Sequence, residues 1–336
     1  SHHGEPVVDL TGGSTSSGPY DEHTLQLVFS TTKGAAAACV AVLVDRGQLD
    51  PTAPVAQYWP EFAAEGKDAI TVEQMLSHRA GLAAVDPVLS IEEICAVNPV
   101  VEALAAQTPL WEPDSAHGYH ALTYGWLVGE LVRRVDGRTI GAFFADEIAT
   151  PLGLEFWIGL PESEEPRVAS LIAGEPPTDP AEIELMLAVA GPGTLGFRAL
   201  FMNGTLMALG EDSPFNSREI HATEMPAANG ITNASSLARM YAATIGEVDG
   251  VRLLNSTTVE DARAELVNGP DLSLVAESRF ACGYMLHGEL TPMIQDGSFG
   301  HAGAGGSLGF ANPELGIAYG YVMNQMGGGL TGDPRT

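Results

Sequence analysis

Lysine is nearly absent from this chain. Only Lys33 and Lys67 occur, within 15 basic residues set against 43 acidic ones, for a net charge of −28 over 336 residues. A field of that sign repels nucleic acid and anionic bilayers, so neither is expected as a partner. The acidic residues are spread without a long block, which suits a solubilising surface better than an interaction tail. Cysteine is also scarce: Cys39, Cys95 and Cys282 lie far apart in apolar contexts. They show no pairing or metal-ligand spacing, so buried free thiols in a reducing compartment are expected. No apolar run approaches the ~18 residues of a membrane-spanning helix. The opening Ser1-His-His-Gly-Glu-Pro lacks the basic and apolar regions of a secretion signal, and a cytoplasmic location is the expectation.

What the chain has in quantity is apolar surface. Hydrophobic residues make up 45% of it, enough for a large core in one big or two intermediate domains. The densest apolar stretch, Gly34 to Val44, follows Ser30-Thr-Thr-Lys33 directly. A spacing of i to i+3 on a helix sets the Ser30 hydroxyl and the Lys33 amine one turn apart on one face. A serine hydroxyl becomes a useful nucleophile only with a base within reach. A lysine becomes that base when burial disfavours its ammonium form. With 19 serines and two lysines, chance gives about 0.1 such pairs, so the motif alone is suggestive. Context strengthens it: residues 34–44 are apolar on all sides, which predicts a buried helix. A lysine at the head of a buried helix needs a reason.

The rest of the chain punctuates itself. Glu5 to Gly13 reads as a strand ended by glycines, and residues 13–23 as a loop. Gly47 stops the Ser30 helix. Thr71 caps a short amphipathic helix ending at His78, and a lone histidine there reads as a hydrogen-bonded structural residue. Helices are expected over 90–107, Leu122–Asp136 (stopped by Gly137), Ile140–Ile148, Ala181–Ala190, Ser235–Ile245 and within 250–266. From Phe280 onward, short β-type runs alternate with Gly, Pro and Asn. The ends therefore carry the strands and the middle the helices. The expectation is an α+β protein with one sheet assembled from both ends: residues 1–51 and 226–336 form a discontinuous sheet domain, and 52–225 a mostly helical one.

Two further patches carry chemistry. In His117-Gly-Tyr-His-Ala-Leu-Thr-Tyr-Gly125, Tyr119 either relays a proton or packs the start of the following helix. Gly300-His-Ala-Gly-Ala-Gly-Gly306 lets a substrate lie against the backbone. Two apparent motifs are set aside. Gly191-Pro-Gly-Thr-Leu-Gly196 matches a dinucleotide fingerprint but follows a helix and contains proline. Gly305-Gly-Ser-Leu-Gly309 matches a nucleophile elbow, yet no histidine follows Ser307, so it reads as a glycine-rich hairpin turn. His117 and His120 lack a third ligand at metal-site spacing, and no metal or organic cofactor is expected.

Taken together, the sequence resembles the serine β-lactamase and penicillin-recognising superfamily, and more narrowly its class C-like hydrolases and their family VIII carboxylesterase branch. The matching pieces are Phe29-Ser-Thr-Thr-Lys-Gly34, Ile70 to Leu82, Gly118 to Gly125, Pro151-Leu-Gly-Leu154 and Phe299-Gly-His-Ala-Gly303, in family order. The resemblance implies a β-lactamase/transpeptidase-like fold, an antiparallel sheet flanked by helices beside a helical domain. It implies that Ser30 is acylated, that Lys33 is its base and that Tyr119 assists proton transfer. The N–H groups of Ser30 and Ala304 would form the oxyanion hole. His301 to Gly303 would occupy the place of the family's Lys-Thr-Gly strand motif, with Tyr124 in support. Two positions depart from the β-lactamase pattern: Ala121 stands for Asn and His301 for Lys. A cation at the latter would help to bind a β-lactam carboxylate. The expected activity is therefore a serine carboxylesterase acting on small esters. A β-lactamase or D-amino-acid peptidase is the alternative, and a silent penicillin-binding-like binder the rival from another class. Oligomeric state is not set by the sequence.

Overall fold

A computed structural model describes residues 1–207, 212–327 and 333–336. Its main sheet has six antiparallel strands in a meander, each paired with its neighbours in sequence: Val267–Pro270, Glu277–Phe280, Met285–Leu286, Phe299–Ala302, Leu308–Asn312 and Ile317–Tyr321. Antiparallel neighbours need only short turns, and the Gly, Pro and Asn residues of this region supply them. A smaller three-stranded sheet joins Gln26–Leu27, Ile231–Thr232 and Phe156–Trp157. Between residues 52 and 225, the described residues are helical or looped apart from Phe156–Trp157.

The chain ends do not share the main sheet as expected. All six of its strands come from the C-terminal part, and the N-terminus adds only a bridge between His2 and Ile317. Glu5 to Gly13 is not a strand. It runs across the surface with Val7, Val8 and Leu10 between 64% and 84% exposed. Apolar, β-branched residues make a strand only where a partner ladder pairs with their N–H and C=O groups, and among the described residues no ladder does so here. The first true pairing is the hairpin Ser14–Thr15 with Gly18–Pro19.

The helix Thr32–Asp45 lies at the centre of the molecule, with every residue from Thr32 to Leu43 buried. It packs against Thr123–Asp136, Ile140–Phe144 and the strand Phe299–Ala302. Four consecutive alanines, Ala35 to Ala38, allow those close approaches while keeping high helix propensity. The flanking helices end as the sequence indicates: Thr71 closes a capping box with Gln74, and Gly137 takes a left-handed conformation after Asp136. Gly191 to Gly196 joins helices Pro180–Ala190 and Leu195–Phe201, a setting without the strand that a dinucleotide fingerprint requires.

Helix Ala234–Ile245 covers one face of the sheet, over the strands Leu308–Asn312 and Ile317–Tyr321. A side chain at Gly320 would collide with the Ala234 carbonyl oxygen and one at Gly309 with the Tyr241 ring, so glycine sets the helix-to-sheet distance. Gly320→Ala is expected to cost about 1–3 kcal/mol through this overpacking. Gly246→Ala, where a methyl meets only the Ala242 oxygen at 3.8 Å, should stay within about 0.5 kcal/mol. Urea denaturation midpoints of the two variants check the difference.

Candidate active site

Ser30 lies in a single turn of 3₁₀-helix, Phe29–Thr31, that runs into Thr32–Asp45. The turn is held from several directions. Val28 N–H donates to the Gly230 carbonyl, and the Thr32 hydroxyl donates to Phe29 O at 2.5 Å while accepting from Gly230 N–H at 2.8 Å. Phe29 is forced to a φ of 43° and packs edge-on to Phe215 at 5.0 Å. A non-glycine residue in that region is strained, and the surrounding bonds over-determine it.

Lys33 is completely buried. Its Nζ stands 3.2 Å from Ser30 Oγ and donates to the carbonyls of Ala121 at 2.6 Å and Ala227 at 2.9 Å. Burial holds its pKa well below the ordinary lysine value, and no carboxylate among the described residues opposes the shift. In the neutral form an amine has two N–H groups, matched here by two carbonyls, and one lone pair, left for the Ser30 hydroxyl.

Tyr119 reaches the same place from the 117–120 segment. Its ring lies 4.7 Å from Lys33 Nζ and stacks on Phe280 at 5.9 Å. Its hydroxyl is buried without a well-aligned hydrogen bond. Burial pushes the phenol's pKa up, and the Ser30 hydroxyl beside it offsets part of that rise. Tyr124 sits deeper, with its ring 5.8 Å from Lys33 Nζ, and is buried in the core. It supports the lysine from below rather than lining open space.

The glycine-rich turn closes the other side. Gly303 N–H donates to Ser307 O at 2.7 Å, forming the tight turn between Phe299–Ala302 and Leu308–Asn312. Ser307 is thus in a hairpin turn, as expected, and its hydroxyl has a structural task. It donates to Val28 O at 2.8 Å and meets Thr31 Oγ1 at 2.9 Å, which ties this turn to the Ser30 turn. A methyl group on Gly303 would strike both Ser307 Oγ and Val28 O, so that position is glycine because two backbones touch there. The main-chain N–H groups of Ser30 and Ala304 donate to no acceptor among the described residues. Two free donors beside one hydroxyl suit a developing oxyanion.

His301 is buried on the strand between. Its Nδ1 is 2.6 Å from the Ala302 carbonyl, which can only accept, so Nδ1 carries the proton and Nε2 presents a lone pair. Burial, with Lys33 nearby, pushes its pKa down to about 3. Three further histidines near the site serve hydrogen-bond networks. His120 accepts from Leu82 N–H and donates to Gly118 O, with its pKa lowered by burial to about 4. His78 Nδ1 accepts from His120 N–H at 3.1 Å. His117 turns the other way, toward Ser278 at 2.8 Å, so His117 and His120 serve separate networks.

Sequence reasoning missed three contributors. Ala227 and Ala121 act through carbonyls, which no side-chain motif reveals. Asp271 accepts from the Tyr119 N–H with both carboxylate oxygens, at 3.0 and 3.1 Å, across 152 residues of chain. No local pattern marks it.

The arrangement of Ser30 beside a buried amine and two free main-chain donors is one that a serine hydrolase can use. Comparison with known proteins agrees. The Beta-lactamase family matches residues 1–335. The "Esterase/beta-lactamase LipL" of Mycobacterium tuberculosis is 36% identical over 96% of this chain and 75% of its own length. Among solved structures, a penicillin-binding protein homologue from Caulobacter crescentus is 40% identical with a TM-score of 0.87, over 100% of this chain and 88% of that one. A family VIII carboxylesterase is 37% identical with a TM-score of 0.85, over 99% and 87%. EstA from Arthrobacter nitroguajacolicus is 36% identical with a TM-score of 0.88, over 100% and 87%. The chain belongs to the beta-lactamase family, and it is a serine hydrolase.

Gly303→Ala should separate the two turns and misplace the Ala304 N–H. The rate constant for labelling by a fluorophosphonate is expected to fall about 10²-fold, the usual loss for one oxyanion donor. Far-UV circular dichroism should be unchanged.

Proposed function

We propose that the protein is a carboxylesterase that hydrolyses small carboxylic esters through an acyl-enzyme on Ser30. The observation that carries the reading is the buried Lys33 amine, 3.2 Å from Ser30 Oγ with its N–H groups committed to two carbonyls. Ser30 Oγ attacks the ester carbonyl and its proton passes to Lys33. The carbonyl oxygen becomes an oxyanion held by the N–H groups of Ser30 and Ala304. Collapse expels the alcohol, which takes a proton from Lys33 by way of Tyr119. Water then attacks the acyl-enzyme, its proton returning through the same groups, and the acid leaves.

Esters are favoured over β-lactams by two positions. His301 offers a lone pair where a β-lactamase carries a lysine, so no cation there meets a substrate carboxylate. Ala121 lacks the amide of the corresponding Asn and contributes only its carbonyl, to Lys33. The name of one similar protein, a family VIII carboxylesterase, supports the same choice, while that of another, an esterase/β-lactamase, covers both activities.

The test sets Ser30→Ala beside Ser307→Ala, with p-nitrophenyl butyrate and nitrocefin as substrates. Ester turnover should fall by at least ~10³-fold in the first and stay within about tenfold in the second. A wild-type rate strongly favouring nitrocefin would replace the esterase with a β-lactamase. A protein that no fluorophosphonate labels would be a binder.

Lys33 also sets a pH dependence. Its folded pKa is depressed, so the neutral base is lost as pH falls through that value, and kcat/KM should show an acid limb there with a plateau above it. Stability has the same sign: between the folded pKa and the unfolded value of ~10.4, only the unfolded chain holds the proton, so stability rises with pH. Lys33→Arg, permanently charged, should lose about 10²–10⁴-fold in kcat/KM and show no recovery at high pH.

A further inference from the structure

Behind Tyr119, on the side away from Ser30, lies a buried polar cluster that the reaction above does not use. Asp271, Ser278 and His117 are each under 5% exposed. The Asp271 carboxylate accepts five hydrogen-bond contacts beyond ordinary solvent. Two come from the Tyr119 N–H, at 3.0 and 3.1 Å, and one each from Ser273 N–H at 2.8 Å, Leu274 N–H at 2.9 Å and the Ser278 hydroxyl at 3.0 Å. Ser278 is held in turn by His117 Nε2 at 2.8 Å.

The cluster joins two separate parts of the chain. Asp271 follows the strand Val267–Pro270, at the edge of the main sheet. Tyr119 belongs to the segment that precedes the helix Thr123–Asp136. Leu272 N–H also donates to His117 O at 3.0 Å, so the sheet edge and the tyrosine segment run together as a short ladder. Phe280, two residues beyond Ser278, supplies the ring on which Tyr119 stacks with an interplanar angle of 8°. Main chain and side chain of Tyr119 are thus located by the same hairpin.

A carboxylate is costly to bury. Both oxygens are in use: one accepts from Ser273 N–H and Leu274 N–H, the other from the Ser278 hydroxyl, and the Tyr119 N–H is shared between them, so an amide here would set an NH2 against a donor. Three of these donors lie in the hairpin of Asp271 itself; the fourth is the main chain of Tyr119, which nothing in the hairpin's own folding requires. We propose that Asp271 is a positioning residue: by clamping the Tyr119 N–H against the sheet edge, it holds the Tyr119 hydroxyl where it can pass a proton to the departing alcohol. This rests on the esterase reading and extends it. The clamp makes no contact with substrate. Within acylation, the half-reaction that kcat/KM reports, it acts on the step that needs Tyr119, protonation of the leaving group, and leaves attack by Ser30 and the oxyanion donors in place.

That division gives a signature which simple loss of stability does not. An ethoxide leaving group must be protonated as it departs; p-nitrophenolate need not be. Compare ethyl butyrate with p-nitrophenyl butyrate, which share one acyl-enzyme, in the full chain. Tyr119→Phe is expected to lower kcat/KM for the ethyl ester about 10²-fold and for the p-nitrophenyl ester by less than about fivefold. Asp271→Asn is expected to follow the same pattern at about tenfold or more, the scale of a misplaced catalytic group, with KM nearly unchanged. The double variant should be no worse than Tyr119→Phe. Should Asp271→Asn be insoluble, Ser278→Ala, which removes one of the carboxylate's donors, should show the pattern at smaller amplitude. Equal losses on both esters, or none, in soluble Asp271→Asn or in Ser278→Ala would overturn the clamp. Absence of the pattern in Tyr119→Phe itself would instead overturn the role given to Tyr119.

Discussion

An uncompensated amine in the core is the constraint to which the rest of this structure answers. Lys33 is wholly buried, and its hydrogen-bonding neighbours are two carbonyls and one hydroxyl, with no carboxylate among the described residues. Burying an ammonium there is expensive unless the group gives up its proton. As a neutral amine it fits without waste: two donors face two acceptors, and the lone pair faces Ser30. Both carbonyls come from elsewhere in the fold, Ala121 ahead of the Thr123–Asp136 helix and Ala227 ahead of the Ile231–Thr232 strand. The packing of three distant segments therefore decides the basicity of one side chain.

The oxyanion side depends on a second close approach. The Ser30 turn and the Gly303–Ser307 turn come from opposite ends of the chain, yet they are sewn together by one hydroxyl, Ser307, which bonds both Val28 and Thr31. Glycine at 303 allows the contact, and Ser307 fixes its length. The strain stored at Phe29 has the same origin, because the backbone bends through a positive φ to bring the Ser30 N–H beside that turn. The motif that resembles a nucleophile elbow is thus a brace for the Ser30 turn, joined to it across 276 residues of chain at Thr31.

What could be read from the sequence was whatever rests on short-range chemistry. Ser30 and Lys33 lie three residues apart and the apolar run after them is continuous, so their meeting on a buried helix followed from helical geometry. Thr71, Gly137 and the glycine-rich hairpin were legible for the same reason. The sheet was not: Glu5 to Gly13 has strand-forming valines closed by glycines, but pairing is decided by a partner that lies far off in sequence, and the main ladder instead forms wholly within residues 267–321. Asp271 was equally invisible. A single aspartate in a turn carries no pattern, and its task appears only when its oxygens are found on the Tyr119 N–H. The Ala121 and Ala227 carbonyls belong to the backbone, which every residue shares.

The groups closest to Ser30 share one electrostatic property that bears on catalysis. Lys33 is pushed toward its neutral form by burial, His301 is held neutral by burial, and Tyr119 is kept as a phenol. A neutral ester entering such a site finds no formal charge to bind it tightly in the ground state. Charge appears only as the reaction proceeds, when the proposed transfer turns Lys33 into an ammonium and the ester oxygen into an oxyanion. The two form as a pair in a place already lined with fixed donors and acceptors, so the attraction between them arises in the transition state and not before it. Interactions that strengthen only at that point raise the rate and not merely the affinity. A lysine in place of His301 would put a standing cation into the same space and draw substrate carboxylates into the ground state. The neutral histidine removes that pull, and this is the physical basis on which the proposed preference for uncharged esters over charged lactams rests.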